Sequence, residues 1–188
     1  MADKFTFILE RAAEKGIVPN ATVDAREWFR EEAASIKVTQ SEILAMRSRV
    51  SEVTIGSMYF FRYDPKNAKT LPYYDQYPLI FPFERNSTGF KGINFHYLSL
   101  KNRALLMDAL YKAQSNNGKL RLSYDIIKTL SKKDLYKPCV KHYLNNNVRS
   151  DLIFIDPEYW DIALFLPLQN FAKASSSRVH TDSIKKVL

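Results

Sequence analysis

The sequence predicts an α+β protein: a small antiparallel β-meander or SH3-like partial barrel surrounded by helices, with an N-terminal helical arm and a flexible C-terminal tail. Three observations carry that expectation. Apolar residues recur at helical spacing through the first fifty positions, and from Gly56 the pattern shortens to the two-residue period of strands. Residues 59–97 hold twelve aromatic side chains in thirty-nine positions, where the whole chain is 13% aromatic. Aromatic rings bury much apolar area and a tyrosine hydroxyl needs a polar partner, so this stretch is the core of a β unit, a recognition surface, or both. Beyond it, helical and extended segments alternate without the regular βαβ repeat of a parallel sheet.

In the arm, residues 1–55, the side chains Phe5, Ile8, Leu9 and Ala12 share a helical face that ends near Gly16 and Pro19. A second helix runs from about Asp24 with Trp28, Phe29, Ala33 and Ile36 on one side, and a third starts at the capping box of Thr39 and Glu42. These helices either pack on the domain or dock into grooves of a partner. The core domain, residues 56–172, opens with an aromatic strand over 58–63 and a turn at Asp64-Pro65-Lys66-Asn67. Pro72, Pro78 and Pro82 donate no N–H, so the run YPLIFPF reads as an edge strand or extended lip, not as a central strand. Asn86-Ser87-Thr88-Gly89 turns the chain into a strand over 90–97, with Ile93, Phe95 and Tyr97 on one side.

Ser99 caps a helix through about Ala113 with Leu106, Leu110 and Ala113 on its stripe and Leu105 beside them, closed by Asn116-Asn117-Gly118. A short strand at Leu120 and Leu122 leads to a helix over 124–130. Lys137-Pro138 opens a further helix, with Val140, Tyr143 and Leu144 inward and its end at residues 145–147. A strand over 148–155, a turn at Asp156-Pro157-Glu158 and an apolar strand over 162–166 complete the domain. Residues 173–188 are Ser-rich and basic and read as a mobile or partner-bound tail.

At 188 residues, 46% hydrophobic and 26% charged, the chain suits one folded domain. Its formal charge of +8 favours nucleic acid, anionic surfaces or acidic partners. The excess is local: residues 61–119 and 120–150 each carry +5, whereas residues 1–60 sum to −1 and 151–167 to −4. The single Cys139 can form no internal disulfide, no apolar run approaches a membrane span, and the N-terminus MADKFTFILERAAEK is unlike a signal peptide. The expectation is an intracellular product with no membrane partner.

Chemistry has few footholds. One Cys and three His, with Cys139 and His142 forming at most half a zinc site, argue against a metal centre. Five glycines form no phosphate loop, and no Ser or Cys sits in a nucleophile elbow. Asp151, Asp156, Glu158 and Asp161 with Lys141 could serve a metal-dependent nuclease, although their spacing is that of a turn with a capped start. The expectation is a non-enzyme without cofactor or small-molecule substrate. The stronger candidate is the interleaving of Arg62, Lys66, Lys69, Arg85 and Lys91 with aromatics, Tyr73, Tyr74 and Tyr77 among them. Stacking on tyrosine with phosphate contacts from Lys and Arg is how frayed or single-stranded ends are held, and Tyr with Arg equally marks protein interfaces.

The strings MYFFRYDPKNAKTLPYYDQYPLIFPFERNSTGFKGINFHYL, KPCVKHYL and WDIALFLPLQNFAKASSSRVHTDS together resemble a family of small virion-associated proteins of T-even-like tailed phages, over roughly residues 56–183. The resemblance implies a virion structural protein, either a DNA end-protector or head-completion protein, or a neck, tail or baseplate component. Its partners would be other virion proteins and the ends of double-stranded DNA. On that reading Arg62, Lys66, Lys69, Lys91, Lys132, Lys133, Lys137 and Lys141 meet phosphate or partner, Tyr73, Tyr74 and Tyr77 supply stacking faces, and Arg178, Lys185 and Lys186 add contacts from the tail.

Overall fold

The computed structural model describes residues 4–19, 22–114, 129, 134 and 136–185, and these form an α+β fold. Helices α1 (Lys4–Glu14), α2 (Val23–Ser35) and α3 (Gln40–Leu44) come first. Local chemistry starts the second and third: Thr22 Oγ1 accepts from Ala25 N–H, and both arms of the Thr39–Glu42 capping box form. Their buried faces, Phe5, Ile8 and Ala12, Phe29 and Ala33, and Ile43, enter the same apolar core as the strands, so the arm packs on the domain.

Six strands make one antiparallel sheet in the order β1-β7-β2-β4-β5-β6. They are β1 (Arg49–Val50), β2 (Met58–Phe60), β4 (Leu79–Arg85), β5 (Gly89–Asn94), β6 (Val140–Leu144) and β7 (Leu152–Ile155); β3 (Tyr74–Asp75) and β8 (Phe171–Ala172) pair separately. Helix α4 (Leu100–Gln114) follows β5, α5 (Trp160–Ala163) follows β7, and α6 (Ser176–Lys185) ends the described chain.

The two-residue period divides the aromatic excess between two cores. Met58, Phe60, Leu79, Phe81, Ile93, Ile153 and Ile155 face the helices, whereas Tyr59, Phe61, Tyr63, Ile80, Phe90, Tyr143 and Leu152 form a second cluster on the other face. In that cluster Tyr63 and Phe61 meet Tyr143 edge-on, with centroids 4.9 and 5.3 Å apart. Among the described residues no barrel closes, but the sheet curls: Tyr63, beyond the end of β2, bridges Val148, and its hydroxyl accepts from Leu144 N–H at the end of β6, 3.1 Å away. β5 can lie close to both neighbours because it carries Gly92 and Gly89; a Cβ at Gly89 would stand 2.0 Å from the Tyr143 carbonyl oxygen.

Several sequence expectations give way. The YPLIFPF run supplies β4, which is central, flanked by β2 and β5. Pro82 is tolerated because its carbonyl accepts from Gly56 N–H at 3.2 Å, so its nitrogen also faces the β2 side, past the end of that short strand, and a register shift falls between Pro82 and Glu84. The strand expected over 90–97 ends at Asn94, whose Oδ1 accepts from His96 N–H and opens a 3-10 turn, Phe95–Tyr97. The helix expected after Lys137-Pro138 is a 3-10 turn, Lys137–Cys139, followed by β6, which pairs along β5 with Phe90 opposite Tyr143.

The apolar strand expected over 162–166 is instead α5 and its continuation, where Leu166 N–H donates to Ile162 O at 3.2 Å. A short run buried on all sides carries no visible period. Residues 176–185, expected within a tail, form α6, seated by buried Val179 and Ser183. Ser99 Oγ accepts from Asn102 N–H at the start of α4, and Leu106 and Leu110 are buried as expected, with Leu105 exposed. The Asn116-Asn117-Gly118 stop, the strand at Leu120 and Leu122, and the helix over 124–130 (Thr129 apart) fall outside the described residues.

Candidate nucleic-acid interface

The chain leaving β2 stays extended through Tyr63 and runs antiparallel to the segment before β7. Tyr63 bridges Val148, Arg149 N–H donates to Arg62 O at 2.8 Å, and Asp64 N–H donates to Asn147 O at 3.0 Å. That register sets Arg62 directly opposite Arg149. Since Tyr63 and Val148 point into the aromatic cluster, alternation turns both arginines outward, and both are exposed. They border a cleft of about 470 Å³ lined also by Tyr63, Asp64 and Gln76. Arg149 Nε lies 4.0 Å from Asp64 Oδ2, and its Nη1 donates to Asn146 O at 3.0 Å. Arg62 N–H donates to Ser150 Oγ at 2.9 Å. Gln76 is fixed from both sides, its carbonyl accepting from Tyr63 N–H and its N–H donating to Asn170 O, each at 2.9 Å.

Behind Gln76 a buried polar chain holds β3 in place. Asp75 Oδ2 accepts from Asn94 Nδ2 at 3.0 Å and lies 2.8 Å from His96 Nδ1, and Asn94 Nδ2 also donates to the Tyr143 hydroxyl. Burial holds the His96 imidazole below its ordinary pKa, against the opposing pull of the Asp75 carboxylate. The ring is thus neutral near pH 7 and donates from Nδ1. Because its folded pKa lies below the unfolded value, the unfolded chain takes up the proton first. Stability is therefore complete above the unfolded value and is lost as pH falls through it, by at most about 1.4 kcal/mol per pH unit for one proton. Urea unfolding from pH 8 to 5.5 should show this decline, and the slope should flatten in H96Q; an equal slope in H96Q would place its origin elsewhere.

The other predicted contact residues scatter. Lys66 and Lys69 are exposed on the turn after Asp64, which is pinned where Lys173 Nζ donates to the carbonyls of Ala68, Lys69 and Leu71 at 2.6, 3.0 and 3.0 Å. Tyr73 and Tyr77 are half-buried against the main core, Tyr73 near Phe171 and Tyr77 stacked on Phe60, and Tyr74 pairs with Ala172 in β3. Lys91 pairs with Glu84 at 2.7 Å, Lys137 with Asp134 at 2.6 Å, and Arg178 with Asp182 at 3.8 Å. Lys141 Nζ sits 4.1 Å from the Tyr97 ring centroid. Lys132, Lys133, Lys186 and the side chain of Lys185 lie outside the described residues.

Sequence reasoning missed Arg149. It stands at the start of the segment read as a strand, and only the pairing of that segment with Arg62 gives it a neighbour. The nuclease carboxylates do not converge: Asp151 is exposed 3.4 Å from Arg49, whereas Asp161 is buried 3.6 Å from Arg26. Burial, with Glu158 nearby, raises the pKa of Asp156. Among the described residues no three His, Cys, Asp or Glu side chains are grouped to hold a metal ion. Cys139 is a buried apolar side chain whose thiol burial pushes up to about 12.

No curated protein and no solved structure matches the chain. A family model does, that of the phage T4 terminal DNA protecting protein, over residues 5–187. The match takes in the N-terminal helices, which the resemblance read from residues 56–183 had left out, and it selects the DNA end-protector from the roles which that resemblance allowed. The chain belongs to the phage T4 terminal DNA protecting protein family.

Proposed function

We propose that this protein binds the ends of double-stranded DNA in a phage particle and shields them by occupying them, without catalysing a reaction. Membership of a terminal DNA protecting family across nearly the whole chain carries the proposal. The charge of +8 supports it, as does the outward-facing group of Arg62, Lys66, Lys69 and Arg149 at one corner of the sheet. We further propose that the protein is made in the host cytoplasm and assembles with other virion proteins at the head–neck junction or tail. Phe7, Val18 and Val23, exposed on and beside the first two helices, are the kind of apolar side chains such a contact would cover.

The test is a salt titration of the full chain against linear duplex DNA and closed circular duplex of the same sequence, with exonuclease protection as a second readout. Preference for the linear form near physiological salt, with slower digestion of its ends, is the expected result. Equal, salt-labile binding to both forms and unprotected ends would overturn the DNA reading and leave protein neighbours as its contacts.

A further inference from the structure

We infer that the opposed guanidiniums of Arg62 and Arg149 form a clamp for a phosphate group at the terminus of a DNA duplex. The inference rests on the DNA-end reading and names the part of the end that the protein holds. Residues directly opposite on antiparallel strands bring their Cβ atoms to about 4.5–5.5 Å, and like charges placed there repel. Here two arginines share that position, both exposed.

The protein supplies only partial compensation. Asp64, 4.0 Å from Arg149 Nε, is the carboxylate at this corner, and among the described residues none lies within ion-pair distance of the Arg62 side chain. Two cations against one carboxylate leave a positive site beside an open cleft of about 470 Å³. Planar guanidiniums bind phosphate oxygens through paired N–H donors, which an ammonium cannot do. A terminal monoester phosphate carries about −1.5 to −2 charges near pH 7, by analogy with phosphorylated side chains, against one for each internal phosphate. The terminal group therefore suits a double guanidinium better than an internal diester does.

The support beneath the clamp is rigid. Both arginines sit on backbone locked by ladder bonds, over a Tyr63 ring packed edge-on to Tyr143 and hydrogen-bonded to Leu144 N–H. Gln76, fixed at both backbone groups, lines the same cleft. Lys66, on the turn that follows, adds charge for the phosphates further along the strand.

The experiment measures binding of the full chain to linear duplexes whose 5′ ends carry phosphate or hydroxyl, and to closed circular duplex. It uses the wild type, R62Q and R62K. The wild type should bind phosphorylated ends about tenfold more tightly than dephosphorylated ones, the scale of one charged hydrogen-bonding pair. R62Q should bind both equally, R62K should keep part of the difference, and R62Q should melt no lower than the wild type because a like-charge contact is relieved. A wild type that prefers ends yet ignores the phosphate would overturn the clamp while sparing the DNA-end reading. So would an R62Q that keeps the full difference. A wild type with no preference for linear DNA would overturn both.

Discussion

R26A is expected to destabilise the fold by about 3–5 kcal/mol, the range for removing one partner from a buried ion pair. The Arg26 side chain is 6% exposed, and its guanidinium meets Asp108 of α4 and, at 3.6 Å, Asp161 of α5, which is fully buried. It also lies 5.1 Å from the Tyr111 ring centroid. One residue of α2 thus offsets carboxylates from two other helices, and without it the buried Asp161 would lose the cation 3.6 Å away. Urea denaturation read by far-UV circular dichroism measures the cost. The attribution has its own control, since adding D161N to R26A should return part of the lost stability. A loss under 1 kcal/mol, or no recovery with D161N, would mean that the network matters little.

W160A should cost a similar amount, about 3–5 kcal/mol, for a different reason. Trp160 is 1% exposed, packs perpendicular to Phe81 with ring centroids 4.8 Å apart, and donates from Nε1 to Ile155 O at 2.9 Å. Truncation leaves a cavity between α5 and the helical face of the sheet and removes a donor from a buried carbonyl. Trp160 also stacks on Tyr111, the ring beneath Arg26, so the two substitutions share a neighbour. The double variant should therefore lose less than the two single losses combined, and strict additivity would show that Tyr111 does not couple them.

The capping box at Thr39, the Asn86 turn, in which Oδ1 accepts from Thr88 N–H and Gly89 N–H, and the Ser99 cap were legible because each is made by residues within a few positions. The errors share the opposite property. The segment VKHYL is a strand because β5 offers it an edge, and Pro82 enters a central strand because β2 is too short to need its missing N–H. The same limit shaped the candidate site. Arg62 stood out inside the aromatic stretch, but Arg149 acquires its meaning only across the ladder, and Tyr73 and Tyr77 spend much of their ring surface on the core.

By itself the sequence determined the α+β class, the three N-terminal helices with the capping box of the third, the excess positive charge between residues 61 and 150, and the resemblance to T-even-like phage virion proteins. The first three follow from composition, local hydrogen bonding and periodicity, which need no knowledge of distant neighbours, and the resemblance rests on sequence strings within residues 56–183. The tertiary structure decided which face each aromatic ring occupies, that the sheet curls without closing, that α6 seats on the core, and that two arginines eighty-seven positions apart stand opposite each other. Those outcomes depend on strand register, and register is set by the packing of the whole sheet at once.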